Sequence, residues 1–251
     1  IITRILSSDA IGMIFMFQTL TLLCVNFVSC GSMSVIQSVY FELDSRKLST
    51  YIVSAVTNSF LISILVFFTF FVFRESVSVI FKITPTIVVI SAGIPFLTVL
   101  HMNMLALHQI REKPLRYFIL YVLLHSVTFL TSVTLVMTLF PDHMSRVLGV
   151  TAATVIASIY SIKQLREFIF SSPNISVMKE LALRGWPIIF HSSSMLIIAQ
   201  TDKFLIANLL DIGSVGLYGV SSQLASVIGL LAGAMVMAYT PILYKRLSSE
   251  T

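Results

Sequence analysis

Charged side chains are scarce in this sequence: Asp, Glu, Lys and Arg make up 11% of its 251 residues, where soluble domains carry about 25%. With 57% hydrophobic residues and a mean hydropathy of +0.96, that shortage excludes an ordinary soluble domain and leaves an integral membrane protein. Cysteine is nearly absent too. Cys24 and Cys30, the two present, lie in one apolar run on different helix faces, so they read as free thiols rather than a disulfide or metal site. No Gly-rich phosphate loop, metal-ligand spacing or nucleophile motif appears, which leaves catalysis and cofactors without a visible seat. A secretory signal pattern is also missing, and the chain opens on Ile rather than Met, so it reads as a fragment. The net charge of +5 would suggest nucleic acid for a soluble domain, whereas in a membrane protein it marks cytoplasmic loops. No nucleic-acid partner is expected.

What the sequence has instead is long apolar runs, near residues 11–31, 51–73, 84–107, 117–139, 146–163, 187–209 and 215–241. They approach the roughly 20 residues needed to cross a hydrocarbon core of about 30 Å. The fifth is short, but Arg146 and Lys163 at its ends can snorkel to the interfaces. The runs are too long for membrane strands and lack period-two alternation. The expectation is an all-α, polytopic membrane protein with about seven complete transmembrane helices. Taking the start as outside, the loops at 42–50, 109–116 and 163–185 and the tail after 244 hold eleven of the sixteen Lys and Arg. The other side holds Arg4, Arg74, Lys82 and Arg146, so the richer side is cytoplasmic.

Shifting the sequence by 204 residues lays "ITRILSSDAIGMIFMFQTL" on "IANLLDIGSVGLYGVSSQL" without a gap, pairing Ile2, Leu6, Gly12 and Leu20 with Ile206, Leu210, Gly216 and Leu224. Six crossings lie between the copies, an even number, so both enter the membrane in the same direction. Parallel repeats of that kind build one class of transporter, and a seven-helix receptor offers no reason for them. On this reading residues 1–170 are most of a first six-helix lobe, 171–185 a cytoplasmic linker, and 186–251 the first two helices of a second lobe.

Ionisable groups at membrane depth are costly and point to function, though satisfied structural pairs are common. His101 and His125 are candidates for a coupling ion or proton, with a neutral histidine bonded to a neighbouring helix as the plainer reading. His108 belongs near the interface. His191 and Asp202 are eleven residues apart, so they share a helix face about 16 Å apart. Asp202 and Lys203 are adjacent, about 100° apart around the helix, and do not pair on one face. Lys203 turns toward a cavity or snorkels to the outer interface. Gly93 and Pro95 interrupt the third run and mark a kink or hinge. Ala225, Gly229 and Gly233 form a small-residue ridge suited to close helix approach.

The stretch from Leu183 to Ser248 resembles the start of the second half of bacterial polysaccharide exporters. Gly185 and Pro187, Asp202 followed by Lys203, Val215 with Gly216 and Tyr218, and Pro241 match that family's pattern. "ITRILSSDAIGMIFMFQTL" resembles the family's opening, a helix end, a polar turn and a Gly-started second helix. The family is the O-antigen flippase (Wzx-like) branch of the multidrug, oligosaccharidyl-lipid and polysaccharide exporters. The resemblance implies a twelve-helix, two-lobed fold in the bacterial inner membrane. It also implies transfer of an undecaprenyl-diphosphate-linked oligosaccharide between leaflets by alternating access, coupled to a proton or sodium ion. Arg4, Lys203 and His191 are the cavity candidates, Asp202, His101 and His125 the coupling-ion candidates, and Gly93 with Pro95 the hinge. No cofactor is implied; membrane lipids and other polysaccharide assembly proteins are the further partners. Where such exporters often carry an Arg late in the second helix, this chain has Gln37 and Ser38. The alternatives are a multidrug or lipid II exporter of the same superfamily, and, from another class, a membrane polymerase of polysaccharide synthesis.

Overall fold

Short polar side chains start the helices. Asp44 Oδ1 accepts from Lys47 N at 2.8 Å, Asn174 Oδ1 from Ser176 N at 2.8 Å, and Asp211 Oδ1 from Ser214 N at 2.7 Å. Ser7 Oγ accepts from Ala10 N at 3.2 Å. Each meets a backbone N–H that a helix start leaves without an internal partner. A computed structural model of the chain describes residues 5–139, 142–166, 168 and 171–249. Among these residues there are eleven helices and no strand.

Helix α1 (Ser8–Ser29) turns through Cys30 and Gly31, both at positive φ, into α2 (Ser32–Val39). Helix α3 (Ser45–Val72) runs into the short α4 (Arg74–Phe81). The third apolar run is two helices, α5 (Pro85–Gly93) and α6 (Pro95–Ile110), meeting at Ile94. Proline has no N–H and clashes with the preceding turn, so Pro95 starts a helix rather than continuing one. Helices α7 (Pro114–Thr138) and α8 (His143–Leu165) follow, and α9 runs unbroken from Ile175 to Leu209 with Pro187 inside it. Residues 175–185 are therefore helical. Last come α10 (Ile212–Ala225) and α11 (Val227–Ser249).

Among the described residues, six helical stretches are long and apolar enough to cross a membrane: α1, α3, α5 with α6, α7, α8 and α9. The seventh expected crossing is covered by α10 and α11, which join at Ser226. Ser226 keeps right-handed helical angles, φ −70° and ψ −7°, so the join is a local irregularity rather than a turn. The chain is thus an all-α polytopic membrane protein.

Helix α1 is central. Met16, Phe17, Leu20, Cys24 and Val28 along it are all buried. One apolar cluster joins Phe15 to Leu20 with Ile87, Val88, Val147 and Val215, and another joins Val35 and Ile36 with Ile52, Met104, Leu107 and Leu120. Buried hydroxyls bond backward to the carbonyl four residues earlier, as Ser91 does to Ile87 (2.8 Å) and Thr154 to Val150 (2.8 Å). This satisfies them where no water is at hand. Small residues let backbones meet. A side chain at Gly149 would strike Ser132 on α7, and one at Gly185 would strike the carbonyl of Cys30. The second contact gives the Gly185 of the Gly-x-Pro motif its reason. The ridge at Gly229 and Gly233, by contrast, has open space around both positions among the described residues.

Candidate functional site

The two segments related by the 204-residue shift lie against each other as α1 and α10. Their N-caps, Ser7 and Asp211, are equivalent under the shift. A side chain at Gly12 would strike the carbonyl oxygen of Ile212, and one at Gly216 the carbonyl oxygen of Ser8. Ser8 and Ile212 are themselves equivalent positions, so the contact has the reciprocity of a two-fold axis between the helices.

Around this seam the charged candidates separate. Lys203 on α9 is half-buried and turns toward α1. Its Nζ donates to Gln200 Oε1 at 2.9 Å and lies 5.6 Å from the centre of the Phe15 ring. Thr19 Oγ1 donates to the same Gln200 oxygen at 3.0 Å. The lysine is therefore aimed at the neighbouring helix, held by an amide of its own helix that the Thr19 hydroxyl of α1 also meets, and lying by the Phe15 ring of α1. Asp202 turns the other way and accepts from the Tyr218 hydroxyl on α10. No salt bridge joins Asp202 to Lys203 among the described residues. Tyr218, the last residue of the Val-Gly-x-Tyr motif, thus holds the carboxylate of the Asp-Lys motif.

Arg146 is the residue that the sequence reading passed over as a snorkelling end group. It sits half-buried at the start of α8, donating through Nη1 to Ser132 Oγ at 3.3 Å. No carboxylate lies within salt-bridge reach of it among the described residues. It lines a cavity of about 240 Å³ with Gln18 and Phe15 of α1 and Gln223 of α10. Phe15 is shared: it walls this cavity, lies beneath Lys203 and packs where a side chain at Gly219 would otherwise stand. One guanidinium and two amides around an open volume form a lining for an anion with several acceptor oxygens. The two glutamines, amides inside charge-free apolar runs, were the available sequence signal.

The remaining candidates lie apart from this site. His191 is exposed on α9 and makes no hydrogen bond among the described residues. His101 is buried between α6 and α8, its Nδ1 3.4 Å from Ser161 Oγ and its Nε2 without a partner. His125 is exposed on α7, its ring 4.3 Å from that of Tyr121. His108, expected near the interface, is buried against Gln164. No group of three His, Cys, Asp or Glu comes together among the described residues. A side chain at Gly93, at the α5–α6 junction, would meet the Phe67 ring at an ordinary 3.9 Å. Arg4 lies outside the described residues.

A central helix, a two-fold seam with its equivalent and a polar cavity beside it belong to a multi-pass membrane protein. The profile of the polysaccharide biosynthesis protein family matches residues 1–246, and the chain belongs to that family. No curated protein and no solved structure matches it.

Proposed function

We propose that the chain forms part of a flippase that carries undecaprenyl-diphosphate-linked oligosaccharide, an O-antigen or capsule repeat unit, across the bacterial inner membrane by alternating access. The observation that carries this reading is Arg146: a half-buried guanidinium without a carboxylate partner, facing a cavity with Gln18 and Gln223. A diphosphate cannot cross hydrocarbon unaided, and a desolvated guanidinium flanked by amides offers it charge-assisted hydrogen bonds. The cavity is walled by α1, α7 and α8 on one side and α10 on the other, so relative motion at the Gly12–Gly216 seam would reshape it. In this reading α1 to α8 belong to one lobe and α9 to α11 begin a second. Lys203 adds positive charge beside Phe15, Asp202 or a histidine takes the coupling proton or sodium ion, and Gly93 with Pro95 lets α5 bend against α6. The protein moves its substrate and makes or breaks no bond in it.

The test is complementation. Full-length protein expressed in a strain lacking its own flippase should restore surface polysaccharide, and Arg146→Gln should cut that by roughly ten- to hundredfold, the scale of one lost charge-assisted contact. Restoration by Arg146→Gln at the unsubstituted level would remove the anion site from the mechanism. Export of a cationic drug with no effect on surface polysaccharide would favour the multidrug alternative.

A further inference from the structure

A second cavity lies farther along α1. It has a volume of about 280 Å³, opens to the outside, and is lined by α1, the start of α2, α6 and α9. That is near the lower end of the roughly 300–1,000 Å³ typical of ligand pockets, enough for one compact group. Asn26 is eight residues beyond Gln18, or about 12 Å down the helix, so the two cavities sit at different depths. Their linings differ in kind. Not one wall residue of this second cavity is ionisable.

Its polar groups are amides and hydroxyls. Asn26 Nδ2 donates to Ser193 Oγ at 2.7 Å and Asn26 Oδ1 accepts from Ser192 Oγ at 2.6 Å. Across the cavity Asn103 Oδ1 accepts from Ser32 Oγ at 3.0 Å. Asn103 is 1% exposed, and its Nδ2 has no acceptor. A buried donor left unmet at membrane depth is unfavourable, because no bulk water can take its place. Between these groups stand Val25, Val99, Met102 and Leu196, which offer only hydrocarbon or thioether surface.

We infer that this cavity is a neutral sugar subsite, which takes one uncharged pyranose ring of the lipid-linked saccharide. The inference rests on the flippase reading. Asn103 Nδ2 donates to a hydroxyl or acetamido oxygen of the ring, the Asn26 and Ser192 pair exchanges hydrogen bonds with its hydroxyls, and the apolar wall covers a C–H face. A coupling cation is the wrong occupant. The carboxamide oxygens of Asn26 and Asn103 already accept hydrogen bonds, and the group left unmet is a donor, which repels a cation. An acyl tail is also wrong, since it has no oxygen for that donor. The division of labour follows: charge is recognised at Arg146, and the neutral saccharide about two turns of helix away.

Equilibrium binding to the full-length protein in lipid nanodiscs tests the subsite, with undecaprenyl diphosphate and undecaprenyl-diphosphate N-acetylglucosamine as the two probes. The sugar-bearing lipid should bind about tenfold tighter than the bare one, and Asn103→Leu should erase that preference with at most a modest fall in Tm, because the bond lost from Ser32 is offset by removal of an unmet donor. Leu196→Trp, which fills the cavity from the α9 side, should erase it as well and carries the test if Asn103→Leu does not fold. If both lipids bind and the preference is missing, or survives both substitutions, the subsite is overturned while the flippase reading stands. If neither lipid binds, the flippase reading falls and takes the subsite with it.

Discussion

Gly12 and Gly216 hold the same place in two helices that touch: each lies against a backbone carbonyl of the other helix, and those carbonyls, of Ile212 and Ser8, are also equivalent under the 204-residue shift. A methyl group at either position enters the partner backbone, which has no side chain to move aside. Gly12→Ala and Gly216→Ala should each destabilise by about 1–3 kcal/mol, although alanine in a free helix is favoured over glycine by about 0.5–1 kcal/mol. Thermal unfolding in detergent should show a similar fall in Tm for both, with non-additivity in the double variant because they share one seam. Gly93→Ala, whose Cβ would make only an ordinary 3.9 Å contact with the Phe67 ring, is the control and should leave Tm unchanged or raise it.

Pro241 creates a bond between distant helices. A proline has no N–H, so the carbonyl of Met237, four residues earlier, loses its helical partner. Gln109 Nε2 on α6 donates to that carbonyl at 2.8 Å, and Gln109 Oε1 accepts from Gln37 Nε2 at 3.1 Å. Gln37 is thus part of a chain reaching α11. Gln109→Leu should cost about 0.5–1.5 kcal/mol for each of the two bonds it removes. With Pro241→Ala, which restores the N–H, the share from the Met237 carbonyl should vanish and only the share from Gln37 should remain. A double-mutant cycle in thermal unfolding that shows no coupling would discard the link.

Lys203 and Asp202 should separate by variant. Lys203→Met keeps a long apolar stem over Phe15 and removes the charge, so folding should persist while affinity for undecaprenyl diphosphate in nanodiscs falls roughly tenfold. Asp202→Asn keeps an acceptor for Tyr218 and should retain that affinity, with the loss appearing instead in ion-driven transport. Equal affinities for Lys203→Met and the unsubstituted protein would make the lysine a packing residue.

Asp211 gives the fold a pH dependence in acid. The Ser214 backbone N–H, then the Ser214 hydroxyl, hold its carboxyl below the ordinary value of 3.8. A lowered folded pKa means that the cap contributes fully above the unfolded value and fades as pH falls through the folded one. Asp211→Ala should therefore lower Tm at pH 7, and the gap from the unsubstituted protein should narrow as the pH is lowered through and below the ordinary carboxyl value of 3.8. A gap that does not narrow on that descent would falsify this assignment.

Much of the architecture was legible because it depends on local rules. Apolar runs placed the crossings, several of them to within about three residues, although α9 begins at Ile175, well before the run at 187–209, and Pro95 placed the break between α5 and α6. The shift of 204 residues aligned Gly12 with Gly216 before their contact was visible. Other readings needed neighbours. Ala225, Gly229 and Gly233 have the spacing of a packing ridge, but spacing does not supply the opposing helix, and Gly229 and Gly233 meet open space. His191 and Asp202 share a face by periodicity, yet Tyr218 of α10 meets Asp202 and leaves His191 exposed.

The sequence by itself determined an all-α membrane protein, its crossings, its internal shift and its family motifs, since hydropathy, helix period and residue identity are properties of one segment at a time. The tertiary structure alone decided where the charges go. Lys203 and Arg146 both looked like residues able to snorkel outward, and their stems are long enough for that. Instead the Phe15 ring of α1 and an amide of its own helix, Gln200, which Thr19 of α1 fixes, hold one, while Ser132, Gln18 and Gln223 surround the other. A long cationic side chain settles wherever its head group finds partners, and partners on other helices exist only once those helices have packed.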